Sequence, residues 1–180
     1  FLLQVVARLG RVAYHGPMVA TDLARGLQPA EAESLLAALA GAPPAPLPAP
    51  LALRGGVARG PLLGGCLSLL AATVGTPWLP PLAGAVLFLE DIDEPEYRID
   101  RMLTHLGLSG TLSHVHGTVV GHLGRGWEQG PAAAWQRQSL LATPGPVSFG
   151  LPVGHGVPNH TLPLGREAVL DADRGELRFD

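Results

Sequence analysis

One cysteine, Cys66, stands among 180 residues. That excludes an internal disulfide, leaves a Cys-rich zinc site without ligands, and fits a reducing compartment. Basic charge is equally scarce. Twelve Lys and Arg against fifteen Asp and Glu give a formal net charge of -3, and the basic residues are scattered. Nothing supplies the phosphate neutralisation that nucleic acid or an anionic membrane requires, so a small or neutral ligand is the expected partner. Long apolar runs are missing too. The two longest, 62–70 and 82–89, contain glycine and fall far short of the roughly 20 residues that span a bilayer. The chain opens on Phe1 without a basic leader or a small-residue cleavage site, so its start reads as the middle of a helix rather than a signal peptide.

Apolar material, in contrast, is plentiful: 47% of residues are aliphatic, aromatic or Cys, enough for a packed globular core. Leu2, Val5, Val6 and Leu9 mark one face of a helix over 1–9 that Gly10 ends, and 11–14 reads as a short strand. A second helix over 29–40 has Pro29 in its first turn and Glu31 and Glu33 near the positive end of its dipole, with Gly41 beyond its last turn. Residues 42–50 carry five prolines. Lacking the amide donors of a helix or ladder, they read as an extended domain boundary or surface loop. The glycine-rich stretch 51–65 reads as tight turns feeding a short helix over 67–74. Residues 82–89 form an apolar run that ends abruptly in acid, as a strand buried on both faces does. Pro95 opens the best helix of the chain, with Ile99, Met102, Leu103 and Leu106 at i, i+3, i+4 and i+7 and Gly107 at its end. Short strands over 117–123, 147–150, 168–170 and 176–179 follow. The whole is a mixed α/β pattern, β-rich in its second half.

Two places stand out chemically. Glu90, Asp91, Asp93, Glu94 and Glu96 put five carboxylates into seven residues at a strand-to-helix junction. Most of them suit a solvated loop at a helix N-terminus, and the spacing is not that of a calcium loop. Glu90 differs, because rigid backbone behind it and partial desolvation suit a carboxylate that orients a histidine. The other place is His155 between Gly154 and Gly156, where the missing side chains permit close approach to an imidazole that titrates near neutrality. His114, His116 and His122 make only a weak metal pattern, and His105 suits the C-terminal end of its helix dipole. The glycines of 55–65 lack the Gly-Lys-Ser/Thr ending of a phosphate loop. No metal and no cofactor is expected.

The order of these blocks is more telling than any one of them. His15-Gly16-Pro17-Met18, Gly64-Gly65-Cys66-Leu67-Ser68, Gly75-Thr76-Pro77-Trp78, Leu87-Phe88-Leu89-Glu90-Asp91, Arg98 to Leu103, Gly154-His155 and Leu162-Pro163-Leu164-Gly165 together resemble the serine L,D-carboxypeptidases, peptidase family S66. The resemblance implies that residues 1–46 are the end of a Rossmann-like N-terminal domain plus a Pro-rich linker, and that 47–180 form the mixed, β-rich C-terminal domain. It implies a Ser-His-Glu triad in which His155 is the base and Glu90 holds it, with the serine a few residues before Phe1. None of Ser68, Ser109, Ser113, Ser139 and Ser148 matches the nucleophile motif, and Cys66 stands where the family usually has Asn. The implied substrate is a cytoplasmic murein tetrapeptide that loses its terminal D-alanine, and the implied assembly allows a homodimer. Two readings compete: an immunity peptidase acting on microcin-type peptidyl-nucleotides, for which Trp127 and Trp135 are the candidate stacking residues, and a noncatalytic fragment that only binds peptide.

Overall fold

The computed structural model describes residues 2–124, 140 and 143–180. In chain order, α1 (Leu2–Arg8), β1 (Ala13–His15), a π-helical turn at Val19–Leu23 and α2 (Pro29–Leu39) precede the proline stretch. Then come β2 (Leu47–Pro48), β3 (Leu51–Arg54), β4 (Val57–Cys66), α3 (Leu67–Ala72), β5 (Val86–Glu90) and α4 (Glu96–Leu108). The last strands are β6 (Gly117–Val120), β7 (Val147–Phe149), β8 (Leu162–Leu164), β9 (Glu167–Asp171) and β10 (Glu176–Phe179). The fold is mixed α/β.

Eight strands form one sheet in the order β2-β10-β9-β4-β5-β6-β7-β3. Its centre, β4 to β7, is parallel, and the outer pairs are antiparallel. Parallel neighbours need long crossovers; α3 and α4 lie in the first two. The outermost strands β2 and β3 are separated in the chain only by Ala49 and Pro50, so the sheet curls until its two ends meet. Ala49 donates its N–H to the Gly175 carbonyl at 2.7 Å, and Pro50 packs against both Gly150 and Gly175. Alternation along β5 then serves two cores. Val86 and Phe88 join Leu62, Val119, Leu170 and Leu177 within the curl. Leu87 and Leu89 face outward and meet Leu67 and Leu70 of α3 and Ile99, Leu103 and Leu106 of α4. Every residue of β5 is buried, which is the two-faced strand that its continuous apolar run predicts. Each such Leu or Phe contributes roughly 1.5–3 kcal/mol on burial, so this strand is a rigid base for whatever follows it.

Several sequence expectations need correction. The glycine-rich stretch is not a set of turns: Val57–Cys66 is a ten-residue strand. Two of its glycines answer to crowding, since a Cβ on Gly60 would collide with the Gly84 carbonyl oxygen and one on Gly64, at φ +128°, with the Phe88 carbonyl oxygen of β5. The proline stretch does enter the ladder, because Leu47 and Ala49 keep their amides and Leu47-Pro48 pairs with β10. Residues 82–85 turn at Gly84 (φ +79°) before β5 begins. Gly107 lies inside α4, and Gly110 takes the positive φ instead. Leu162-Pro163-Leu164, not foreseen as a strand, pairs antiparallel with β1, joining Ala13 to Leu164 and His15 to Leu162. This pairing stitches the N-terminal segment to the strands that follow the proline stretch.

Candidate active site

Glu90 is the last residue of β5 and is fully buried. It sits beside Cys66 in the β4–β5 register. The next residue is held as well, Asp91 N–H donating to the His122 carbonyl at 2.9 Å, so the carboxylate leaves from fixed backbone. Over it runs the loop that carries His155. The loop is brought in by the Val153 carbonyl, which accepts the His122 N–H at 2.9 Å. Gly154 has φ +114°, and a Cβ there would lie 2.9 Å from both Cβ and Oε2 of Glu90. Only glycine lets the backbone cross the carboxylate this closely. Gly156 in turn packs on the His122 ring, and any Cβ on it would collide with the imidazole.

In this arrangement His155 Nδ1 is 2.7 Å from Glu90 Oε2, although 64 residues separate the two in the chain. About a quarter of the His155 side chain remains exposed. Burial opposes ionisation of Glu90, but the hydrogen bonding and charge of His15 and His155 outweigh it and hold the carboxyl at about 2. The hydrogen bond to Glu90 raises the pKa of His155 above its ordinary value against the opposing effect of burial, with the charges of Glu90, Asp91 and Asp22 adding to the rise. An ionised carboxylate on Nδ1 selects the Nδ1–H tautomer and leaves Nε2 with its lone pair free to take a proton.

Sequence reasoning missed the third member of this cluster. His15, at the end of β1, points Nε2 at the other carboxylate oxygen, Oε1, at 3.5 Å. Its ring stands edge-on to Phe88, with centroids 5.3 Å apart. Glu90 is therefore flanked by two imidazoles. The signal available was His15-Gly16-Pro17-Met18, a block noted for its place in the chain and not for chemistry.

The rest of the acidic run divides. Asp93 and Glu96 are exposed, and Glu94 pairs with Arg98 at 3.2 Å one turn on, as a solvated helix start predicts. Asp91 is different, being buried. Its Oδ2 accepts the Ser68 N–H at 2.8 Å, so a side chain from β5's end caps the first turn of α3. The Ser68 hydroxyl lies 3.1 Å from the Cys66 thiol and 3.4 Å from Asp91 Oδ1; burial raises the pKa of the thiol. No described serine hydrogen-bonds His155; Ser139 lies outside the described residues, as do Trp127 and Trp135. Among the described residues no group of three His, Cys, Asp or Glu side chains is arranged to hold a metal. His116 Nδ1 is 2.7 Å from the Arg59 carbonyl oxygen, and His122 Nε2 is 3.2 Å from that of Pro158. No described helix is long and apolar enough to cross a membrane.

A polar cleft of about 260 Å³ opens beside the dyad, lined by Asp91, Ile92, Asp93, His122, Gly124, His155 and Gly156. A larger one, about 350 Å³, lies between α2 and the proline stretch and contains neither Glu90 nor His155. Of these two clefts, the small one is the one that His155 lines.

A family model described as the LD-carboxypeptidase C-terminal domain matches residues 59–170, the span that holds Glu90, His155 and the parallel core. The chain belongs to the LD-carboxypeptidase family. It is 35% identical over 184 residues to a putative carboxypeptidase of Synechocystis sp., covering 99% of this chain and 60% of that protein. It is also 35% identical over 190 residues to the murein tetrapeptide carboxypeptidase of Pseudomonas aeruginosa, covering 96% of this chain and 60% of that one. The crystal structure of muramoyltetrapeptide carboxypeptidase from Oxalobacter formigenes superposes with a TM-score of 0.83 at 30% identity, over 99% of this chain and 65% of that chain. The LD-carboxypeptidase chain described here thus spans about 60% of the length of these two curated relatives.

Proposed function

We propose that the complete protein is a serine-type L,D-carboxypeptidase that releases the terminal D-alanine of murein tetrapeptides in the cytoplasm, as part of peptidoglycan recycling. The observation that carries this reading is the 2.7 Å contact between His155 Nδ1 and a fully buried Glu90 at the edge of an open polar cleft. Names among the relatives, murein tetrapeptide carboxypeptidase and muramoyltetrapeptide carboxypeptidase, support the substrate class.

In the proposed reaction His155 Nε2 takes the proton of a serine hydroxyl as its oxygen attacks the carbonyl before D-alanine. The imidazolium then gives that proton to the departing D-alanine nitrogen, and water releases the acyl group by the same steps in reverse roles. Glu90 keeps the imidazole in the required tautomer and stabilises the imidazolium. The serine belongs to the proposal too: it comes from a part of the protein preceding Phe1. On that reading these 180 residues by themselves turn over no substrate. A cytoplasmic location and a homodimer belong to the same proposal.

The test is D-alanine release by the purified full-length protein from a murein tetrapeptide. Wild-type protein is expected to release it, and His155→Ala and Glu90→Ala to lose that release. Full activity in either variant rejects the assignment of that residue; no release by wild-type protein rejects the substrate.

A further inference from the structure

His155 sits on a loop that is clipped shut by one side chain. Asn159, buried to 3% exposure, turns its Oδ1 back to accept the Gly154 N–H at 3.0 Å. That N–H precedes His155 directly, and Gly154 is the residue packed against Glu90. Any pivot of the Asn159 amide therefore moves the backbone that sets the distance from imidazole to carboxylate.

Asn159 is itself held from the N-terminal segment. Its backbone N–H donates to Glu31 Oε1 at 2.7 Å and its Nδ2 to Asp22 Oδ2 at 3.2 Å. Arg25 joins these two acids, with Nη2 2.6 Å from Glu31 Oε1 and 3.2 Å from Asp22 Oδ1, and Nη1 3.1 Å from Glu31 Oε2. The Gln28 N–H completes the set at Glu31 Oε2, 2.7 Å away. Next along, the Ser34 hydroxyl accepts the Thr161 N–H at 3.1 Å. Glu31 has no exposed side-chain surface. A buried carboxylate with four donors is geometrically determined, because losing any donor leaves a desolvated lone pair.

We propose that Glu31 and Asn159, with Asp22 and Arg25 behind them, are positioning residues that hold His155 in register with Glu90. This rests on the reading of His155 as the base. Neither residue touches the reacting atoms. Asp22, Arg25 and Glu31 all lie outside the matched span 59–170, so the geometry of the catalytic loop is set by a segment that precedes the proline stretch.

Exchanging the Asn159–Asp22 pair tests this in the full-length protein. Asn159→Asp keeps the acceptor for Gly154 but puts a carboxylate against Asp22. It is expected to lower kcat by roughly 10- to 100-fold, with KM within about twofold. The NMR-measured pKa of His155 is expected to fall toward the ordinary value as the Glu90 contact loosens. Adding Asp22→Asn restores a donor opposite the new carboxylate, although it takes from the Met18 N–H the acceptor that Asp22 Oδ2 offers at 2.8 Å, so it should recover a large part, not all, of the lost rate and of the His155 shift. Glu31→Gln keeps the size and loses the charge, so it should shift both readouts in the same direction by less, and it serves if Asn159→Asp does not fold. A folded Asn159→Asp or Glu31→Gln protein with unchanged kcat and unchanged His155 titration overturns the proposal. So does a double exchange that regains the wild-type melting temperature without regaining rate. If wild-type protein releases no D-alanine, the enzymatic reading fails, and the His155 titration in the variants still decides the positioning.

Discussion

Glu90 and Glu31 are both fully buried carboxylates, and both are held at about 2, yet they are built for different work. At Glu31 the fork of Arg25 provides the main lowering, opposed by burial and helped by the amides of Gln28 and Asn159. A guanidinium does not titrate in the working range, so that pair is permanently charged. At Glu90 burial is the largest influence and acts against ionisation; two imidazoles overcome it. His155 gains and loses a proton at a pKa above its ordinary value, so the Glu90 site changes charge where the Glu31 site cannot. One loop thus carries both contacts, Asn159 bound to Glu31 at one end and His155 bound to Glu90 at the other.

The largest difference should appear in activity. On the proposed reaction, Glu90→Gln in the full-length protein removes the charge that holds His155, and D-alanine release should fall by roughly 10³-fold or more, the scale of loss when a Ser-His-Asp triad is deprived of its orienting carboxylate. Glu31→Gln should lose far less rate. Chemical denaturation should also expose the Glu31 anchor: breaking its charge pair leaves Arg25 with Asp22 and the Gly26 carbonyl and Glu31 without its guanidinium partner, so the midpoint should fall measurably. Equal effects of the two substitutions on rate would collapse the distinction.

Next in size is Gly154→Ala. A methyl group at φ +114° and 2.9 Å from Glu90 strains the backbone by about 1–3 kcal/mol, and should push His155 off the carboxylate. Denaturation and D-alanine release together measure it. A neutral Gly154→Ala would show that the close crossing is dispensable.

Titration separates the two sites by sign. Both carboxyls have folded pKa values below the ordinary 4.5, so their stabilisation is complete above about 4.5 and is lost as pH falls from there toward 2. The raised pKa of His155 works the opposite way. Its contribution is complete below 6.5 and is lost as pH rises through the folded value. Wild-type stability should therefore decline on both sides; His155→Ala should remove the alkaline decline and shrink the part of the acid decline that Glu90 owes to His155, leaving that of Glu31 in place. The base must be neutral to act, so kcat/KM should rise with pH through a value above 6.5. An alkaline decline that survives in His155→Ala contradicts this assignment.

The smallest effect belongs to a solvated acid. Glu94→Ala breaks the solvent-screened pair with Arg98 and should leave the denaturation midpoint nearly unchanged. D-alanine release should stay at the wild-type level. A loss comparable to Glu31→Gln would mean that exposure does not distinguish these carboxylates.

Much of the dyad's setting was legible in local patterns. A continuous apolar run from Val86 to Leu89 that stops at acid specifies a strand buried on both faces with a carboxylate at its exit. An imidazole between Gly154 and Gly156 advertises close approach. That the two meet is not local, and it came from the order of blocks in a family resemblance. Glu31 shows why the remainder stayed hidden. In the first turn of α2, next to Pro29, it has every mark of an acid favouring a helix dipole; its burial depends on Asn159, which is 128 positions away. His15 is similar, since a three-residue strand end carries no chemical signal until β8 sets it beside Glu90. The glycines of β4 misled because small residues admit two opposite uses, loose turns and close strand crossing. The neighbouring carbonyls of Gly84 and Phe88 decide between them at Gly60 and Gly64.

The most direct test of the central claim, that buried ionised Glu90 orients His155 as a base, is nitrogen-15 NMR of the His155 ring across pH. Full-length wild-type protein is expected to show the Nδ1–H tautomer and a pKa above 6.5, with the pKa falling in Glu90→Gln. An Nε2–H tautomer, or a His155 titration identical in the two proteins, would contradict it.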